Sequence, residues 1–414
     1  MKNYLKLIEE ASENIKDVAL VSPLEYSVSL SEKYNSKIYL KREDKQIVRS
    51  FKIRGAYNKM RSLTNEEKSR GVVCASAGNH AQGVAFSCFK LKTKGTIYMP
   101  AITPNQKIGM VKKFGGKYVT IELKGTTFDE AYHEAIDFCK KKKMIFVHPF
   151  NDPLVIAGQG TIGKEITEQL DEKVDYILAG IGGGGLISGI SSYFKEKKLL
   201  TKFYGVEPGG AASMAAALKN DGVIVLDKID SFVDGAATRS VGDETFRICK
   251  ENLEKVLIVP EGKVCTTMVQ LYQNDGIITE PAGALGISAL DLIKDKIAGK
   301  TVVCIVSGGN NDILRYPEIL ERSMLYEGIR HYFIIKFAQK PGQLKTFLLN
   351  VLGPEDDIIR FEYVKKTNAE KGPALVGVEV SKKENFAQLE KRMIKAGFAY
   401  TLVNDNDFLF KYIV

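Results

Sequence analysis

The sequence predicts an α/β protein built on parallel sheets, followed by a smaller α+β unit. Two observations carry this. Up to Arg322, short apolar runs that read as buried strands alternate with helical patterns, the signature of βαβ units. After Arg322 the order becomes strand, helix, strand, strand, helix, strand, which is the ferredoxin-like unit.

The elements follow in order. Residues 1–20 read as a helix, broken at Ser22 and Pro23. Residues 38–41 (IYLK) are a strand, and a helix covers 55–63 after the segment SFKIRG. Residues 72–75 (VVCA) are a buried strand running into SAGNH, with a helix over 81–91. A strand at 96–99, helix at 105–114, strand at 118–121 and helix at 128–139 continue the alternation. Residues 176–179 (YILA) form the strand before GGGGL, and a helix takes 187–194. Strands at 203–208 and 257–260, helices at 263–275 and 284–293, and a central strand at 301–306 complete the pattern. That last strand ends in SGGN. In the appended unit, strands fall at 331–337, 358–366, 374–381 and 400–403, helices at 341–352 and 385–396, and an apolar tail at 407–414. The domain boundary is expected near Tyr326, giving 1–325 and 326–414, with a smaller subdomain of about 50–150 inside the first.

Composition narrows the class. A chain of 414 residues supports two or three cores. The formal charge of +9 comes from lysines spread along the chain. The one dense run, Lys140, Lys141, Lys142 and Lys143, ends a helical pattern, where cations suit the helix dipole. No arginine-rich or aromatic interleaving accompanies it, so no nucleic-acid partner is expected. Six scattered cysteines without a CxxC argue for reduced thiols and a cytoplasmic protein. The amphipathic start does not resemble a signal peptide, and no apolar run reaches the roughly 18 residues of a membrane span.

Four segments carry chemistry. Lys52 stands behind Phe51 and two residues after Ser50 at a helix start. Such an amine forms a Schiff base with an aldehyde cofactor, and the ring covers it; alone, it reads more readily as a solvated surface lysine, and the other three segments are what change this. The small residues of SAGNH at a strand-to-helix turn leave N–H groups free for a carboxylate. His80 there reads as structural or as a general base. Four consecutive glycines, Gly182, Gly183, Gly184 and Gly185, permit positive φ and close backbone approach around a phosphate, where a plain turn needs one. Ser307 lies at the carboxyl end of a parallel strand, on the edge where ligands of open α/β sheets bind. The run GQGTIGKE at 158–165 fits GxGxxG and the start of a P-loop. It lacks the P-loop Ser or Thr, having Glu165, and no strand precedes it; helix packing is the better use of its glycines.

Taken together, SFKIRGAY, SAGNHAQGVA, FNDPLVIAGQGT, GGGGL, GDETFR, EPAGA and SGGN resemble, in order and over nearly the whole chain, the short biosynthetic threonine dehydratases (threonine ammonia-lyases) with one ACT-like C-terminal domain. These belong to the tryptophan-synthase-β-like, fold type II enzymes of pyridoxal 5'-phosphate. KPGQL and GPALVGVEV in the C-terminal unit narrow the resemblance to the regulated threonine branch. The resemblance implies a three-layer two-domain catalytic fold with parallel sheets, an ACT-like regulatory domain and a homotetramer. It implies an imine between Lys52 and the cofactor, with the freed amine then removing the substrate α-proton. Phe51 is to pack on the ring, Asn79 to bond its hydroxyl, and Ser307 to bond its nitrogen. Gly182, Gly183, Gly184, Gly185 and Leu186 are to hold the phosphate. Ser76, Asn79 and His80 are to surround the substrate carboxylate, with Glu280 near the ring. The implied reaction is deamination of L-threonine, and of L-serine, to a keto acid and ammonia, as the first step of isoleucine biosynthesis with feedback from L-isoleucine.

Two departures bear on side activities. Ala77 stands where a related serine racemase carries a second serine as the opposite-face base, so no racemisation is expected. Ser213, six residues after Glu207, stands where that enzyme has an aspartate metal ligand, and no metal is expected. Two other readings compete: an unregulated serine/threonine dehydratase, and a non-catalytic cofactor or amino-acid sensor.

Overall fold

The structure, a computed structural model, describes residues 2–364 and 370–404. The chain divides into two compact units, Met1–Asp312 and Ile313–Val414. The first contains ten strands: β1 (Leu24–Tyr26), β2 (Lys37–Arg42), β3 (Val72–Ala75), β4 (Gly95–Met99), β5 (Val119–Leu123), β6 (Ile145–Phe146), β7 (Tyr176–Gly180), β8 (Lys202–Pro208), β9 (Leu253–Val259) and β10 (Thr301–Val306). They form two sheets, of order β1-β2-β10-β7-β8-β9 and β5-β4-β3-β6. Apart from the β1–β2 pair, all neighbours are parallel. Every residue of β10 is buried, as expected of a parallel strand covered on both faces.

One helix, Pro153–Gln169, organises the packing. Its start is written in the sequence. Asp152 accepts hydrogen bonds from the N–H groups of Leu154 (2.8 Å) and Val155 (3.3 Å), and Pro153 sits where a missing N–H costs nothing. Its glycines let three helices close on it. A Cβ on Gly158 would lie 2.6 Å from Gly55 Cα on the helix Lys52–Arg61. A Cβ on Gly160 would strike Ile8 of the helix Tyr4–Ile15 at 2.5 Å. One on Gly163 would approach Ile190 of the helix Gly185–Glu196 at 3.2 Å. The run that mimics a nucleotide motif is therefore helix–helix contact.

Several boundaries differ from the sequence reading. The helix expected at 55–63 runs Lys52–Arg61, and the strand expected at 257–260 runs Leu253–Val259. The helix expected at 81–91 runs Asn79–Leu91, which puts Asn79 and His80 in its first turn. The helix expected from 187 begins at Gly185. The helix expected at 284–293 is instead Pro281–Ser288, then a 3-10 turn Leu290–Ile293 and a short helix Lys294–Ile297. The segment is apolar nearly all round, so its periodicity marks no boundary.

The second unit carries β11 (Arg330–Ala338), β12 (Asp357–Tyr363), β13 (Lys371–Glu379) and β14 (Ala399–Leu402), in the order β12-β13-β11-β14 with antiparallel pairing throughout. With helices Gln343–Asn350 and Asn385–Lys395 this is the expected βαββαβ unit. Phe333, Phe337, Phe347, Val376, Leu389 and Met393 form its core. The helix Tyr316–Tyr326 also falls within the second unit's residues. The expected tail at 407–414 and the end of the strand at 358–366 lie outside the described residues.

Candidate active site

Lys52 is the first residue of its helix. The segment before it is stitched to the turn after β10. Phe51 N–H donates to the Ser307 carbonyl (3.1 Å), Ser50 pairs with Gly308, and Gly309 N–H donates to the Arg49 carbonyl (2.9 Å). Two segments more than 250 positions apart in sequence are thereby joined by an isolated antiparallel bridge. Lys52 Nζ donates to the Pro149 carbonyl (2.9 Å) and lies 5.2 Å from the centre of the Phe51 ring. Both residues line one pocket, together with Gly182, Gly185, Leu186 and Ser307. Burial lowers the amine to about 8, against the opposing pull of Glu280.

The glycine turn is a cradle that side chains would fill. Gly184 has φ +90°, the left-handed region. A Cβ on Gly183 would lie 2.2 Å from the Phe150 ring. Thr245 Oγ1 donates to the Gly183 carbonyl (2.7 Å), which pins the turn from behind. The helix Gly185–Glu196 starts there with no side-chain cap, so its first N–H groups are available to an anion. Buried Gln159 Oε1, on the cavity wall, and buried Ser50 Oγ have no hydrogen-bond partner among the described residues. An enclosed amine, a glycine cradle at a helix start and these unpartnered oxygens fit a phosphorylated aldehyde cofactor.

The other expected residues divide. Ser307 is buried beside Lys52, its hydroxyl donating to the Ala282 carbonyl (3.2 Å). Asn79 Nδ2 donates to Glu280 Oε1 (2.6 Å). Burial, helped by Asp234, pushes Glu280 up to about 7, against bonds from Asn79 and the Asn310 N–H and the charge of Lys107. Ser76 Oγ accepts from the Gly78 N–H (3.2 Å) and shapes the turn before the helix Asn79–Leu91. The His80 ring is buried and its Nε2 meets the Val147 carbonyl at 2.8 Å. Burial, with the nearby charge of Lys52, lowers it to about 3. His148, which the sequence reading did not single out, accepts the N–H groups of Phe150 (3.2 Å) and Asn151 (2.8 Å) at Nδ1. Burial lowers it to about 4. Both imidazoles are held well below the ordinary histidine value, within the field of the Lys52 amine.

Thr245, Phe150, Gln159 and Asn310 also build the site. Their signals lay in motifs quoted for other reasons: Thr245 in GDETFR, Gln159 in the GxGxxG run, Asn310 at the end of SGGN. Glu207 has another partner. Its carboxylate accepts the N–H groups of Met214 (2.7 Å) and Ala215 (2.9 Å), and burial raises it to about 7. Among the described residues no three His, Cys, Asp or Glu side chains gather as a metal cluster.

Comparison with known proteins gives the family. A family model described as pyridoxal-phosphate dependent enzyme matches residues 15–308, and one described as the C-terminal regulatory domain of threonine dehydratase matches 321–413. The chain is 53% identical over 404 residues to the L-threonine dehydratase biosynthetic IlvA of Halalkalibacterium halodurans, covering 98% of this chain and 97% of the relative. It is 52% identical over 410 residues to that of Bacillus subtilis, covering 99% and 97%. Among solved structures, threonine deaminase isoform 2 from Solanum lycopersicum superposes with a TM-score of 0.73 at 39% identity, covering 77% of this chain and 93% of that one. Serine racemase from Dictyostelium discoideum gives 0.69 at 32%, covering 75% and 99%. The chain belongs to the pyridoxal-phosphate-dependent enzymes and, within them, to the biosynthetic L-threonine dehydratases.

Proposed function

We propose that the catalytic unit removes water and then ammonia from L-threonine, giving 2-oxobutanoate, and that the second unit adjusts this activity to L-isoleucine. The observation that carries the reading is the enclosure of the Lys52 amine in one cavity with the glycine turn and Ser307. Lys52 would hold the cofactor aldehyde, Phe51 would cover its ring, and the N–H groups of residues 182–186 would take its phosphate. Ser307 would stand at the ring nitrogen and Asn79 at the ring hydroxyl. Bound there, pyridoxal phosphate would supply an electron sink that makes the substrate Cα–H acidic. Lys52 Nζ would be the base that takes that proton. Ser307, a neutral hydroxyl, would not hold a proton on the ring nitrogen as an aspartate would, and this would favour prompt loss of the β-hydroxyl. Ser76 and the N–H groups opening the helix Asn79–Leu91 hold the substrate carboxylate. Loss of water across Cα–Cβ leaves an unsaturated amine that hydrolyses to 2-oxobutanoate and ammonia. L-Serine fits the same groups, since one methyl is worth only about 1–3 kcal/mol in a pocket.

The test is product formation from threonine by the cofactor-loaded protein, with and without L-isoleucine. Normal turnover by Lys52→Ala would defeat the mechanism. An isoleucine response of about 5–150-fold in apparent threonine affinity is the expected range for coupled sites. An unchanged threonine curve would leave an unregulated serine/threonine dehydratase. We place the protein in the cytoplasm as a homotetramer, so its native mass is to be four times 45.8 kDa. No helix of the described residues is long and apolar enough to cross a membrane.

A further inference from the structure

Asn310 joins three segments. Its Nδ2 donates to the Val48 carbonyl (2.8 Å), in the strap that leads to Lys52, and to Asn79 Oδ1 (2.7 Å). The partners lie 262 and 231 positions away in sequence. Asn79 Nδ2 then donates to Glu280 Oε1 (2.6 Å), and Glu280 N–H returns to the Gly308 carbonyl (3.2 Å). The loop of bonds closes on the same SGGN turn.

The polarity of this chain is fixed at one end. A backbone carbonyl can only accept, so Asn310 presents its NH₂ to Val48. The same NH₂ group reaches Asn79, which must answer with its oxygen. Asn79 is thereby left with its NH₂ turned toward Glu280. An asparagine held by Glu280 alone would have no such constraint, because a carboxyl that carries a proton accepts the opposite amide orientation. Glu280 is pushed up to about 7 and changes protonation near neutrality. Lys52, Asp234 and Lys107 are the charged groups whose fields it shares.

We infer that Asn310 is a positioning residue: it fixes the amide of Asn79 with its donor side toward Glu280 and the cofactor ring, without touching the cofactor itself. This rests on the proposed placement of Asn79 at the ring hydroxyl. A role confined to packing would need only the Val48 bond. The bond to Asn79 makes the two asparagines one unit.

The experiment is a double-mutant cycle on cofactor binding. Wild type, Asn310→Ala, Asn79→Ala and the double variant are stripped of pyridoxal phosphate and titrated with it. The visible band of the bound cofactor and its pH midpoint are followed. Asn310→Ala is expected to weaken binding about 5–10-fold, the worth of one hydrogen bond, and to shift the band in the same direction as Asn79→Ala. The double variant is expected to bind no worse than Asn79→Ala, within about twofold. Asn310→Asp has nearly the same shape and cannot donate when ionised. It is expected to reproduce the band shift, and it serves if the alanine variant fails to fold. Losses that multiply in the double variant, or an unchanged band in Asn310→Ala and Asn310→Asp, overturn the inference. A wild type that forms no visible band with the cofactor overturns the functional reading, and this one with it.

Discussion

The guanidinium of Arg54 lies side-on to the carboxylate of Glu43, with Nε–Oε2 and Nη2–Oε1 both 2.8 Å and neither side chain reaching solvent. Its other edge holds Glu165, at 2.6 and 2.9 Å, and Lys41 completes the group at 2.6 Å from Glu165. Two buried cations thus face two buried anions, one helical half-turn from Lys52.

Removing one member leaves a carboxylate buried without its partner. Arg54→Ala is expected to lose about 3–5 kcal/mol in urea unfolding. Arg54→Lys loses part of this, since one ammonium cannot serve two carboxylates side-on. Burial alone would raise Glu43, but the charges and bonds of Arg54 and Lys41 hold it below the usual range. Its contribution is therefore full above the unfolded carboxyl's pKa, about 4.5, and is lost as pH falls below it. An acid-unfolding midpoint unmoved in Glu43→Gln would contradict this.

The amine of Lys52 sets a second pH dependence. Capture of pyridoxal phosphate by the stripped protein is expected to speed up about tenfold per pH unit below about 8 and to level off above it. Stopped-flow absorbance between pH 6 and 9 reads this directly. The stability sign follows from the same shift. Between about 8 and 10.5 the unfolded chain binds more protons at this lysine than the folded one. Stripped protein therefore gains stability with rising pH in that window, and Lys52→Met lacks that part of the gain.

The glycine turn answers to backbone conformation. Gly184→Ala meets a positive φ that costs about 1–2 kcal/mol in an L-residue, and its Cβ would sit 2.9 Å from Met214 and 3.0 Å from Thr245. Cofactor affinity is expected to fall at least tenfold by equilibrium dialysis. Thr245→Val keeps the shape and loses the bond to Gly183; the expected fall is about fivefold.

Helix packing carries its own prediction. A Cβ on Gly189 would lie 2.3 Å from the Ile156 carbonyl and 2.5 Å from Gly160 N. Gly189→Ala is expected to cost about 1–3 kcal/mol in thermal or urea unfolding, because neither backbone can retreat cheaply. Equal stability to wild type would show that the two helices have room to part.

Much of this was legible. Strands such as β3 and β10 were bounded correctly because each is a short apolar run closed by glycine or serine, and those bounds placed Ser76 and Ser307 at strand ends. The starts of the helices at Asn79 and Gly185 were read too late, because glycines and asparagine suppress helix propensity while a tight strand-to-helix turn favours them. For His80 the sequence left a structural and a functional use open. Its neighbours in sequence suit a substrate site, but where its ring points depends on the carbonyl of Val147, 67 positions away.

By itself the sequence determined the order of elements, the functional groups that Lys52 and the glycine turn bring, and the change of architecture after the catalytic unit. These follow from local rules: apolar period, turn residues, and the side-chain functions present. Tertiary structure alone decided which groups face one another. The strap between Ser50 and Gly308, the pinning of Gly183 by Thr245, and the line from Asn310 through Asn79 to Glu280 are contacts across tens to hundreds of positions. Hydrogen-bond polarity and burial in the pocket arise only when those segments meet, and these are what lower the Lys52 amine and orient the Asn79 amide.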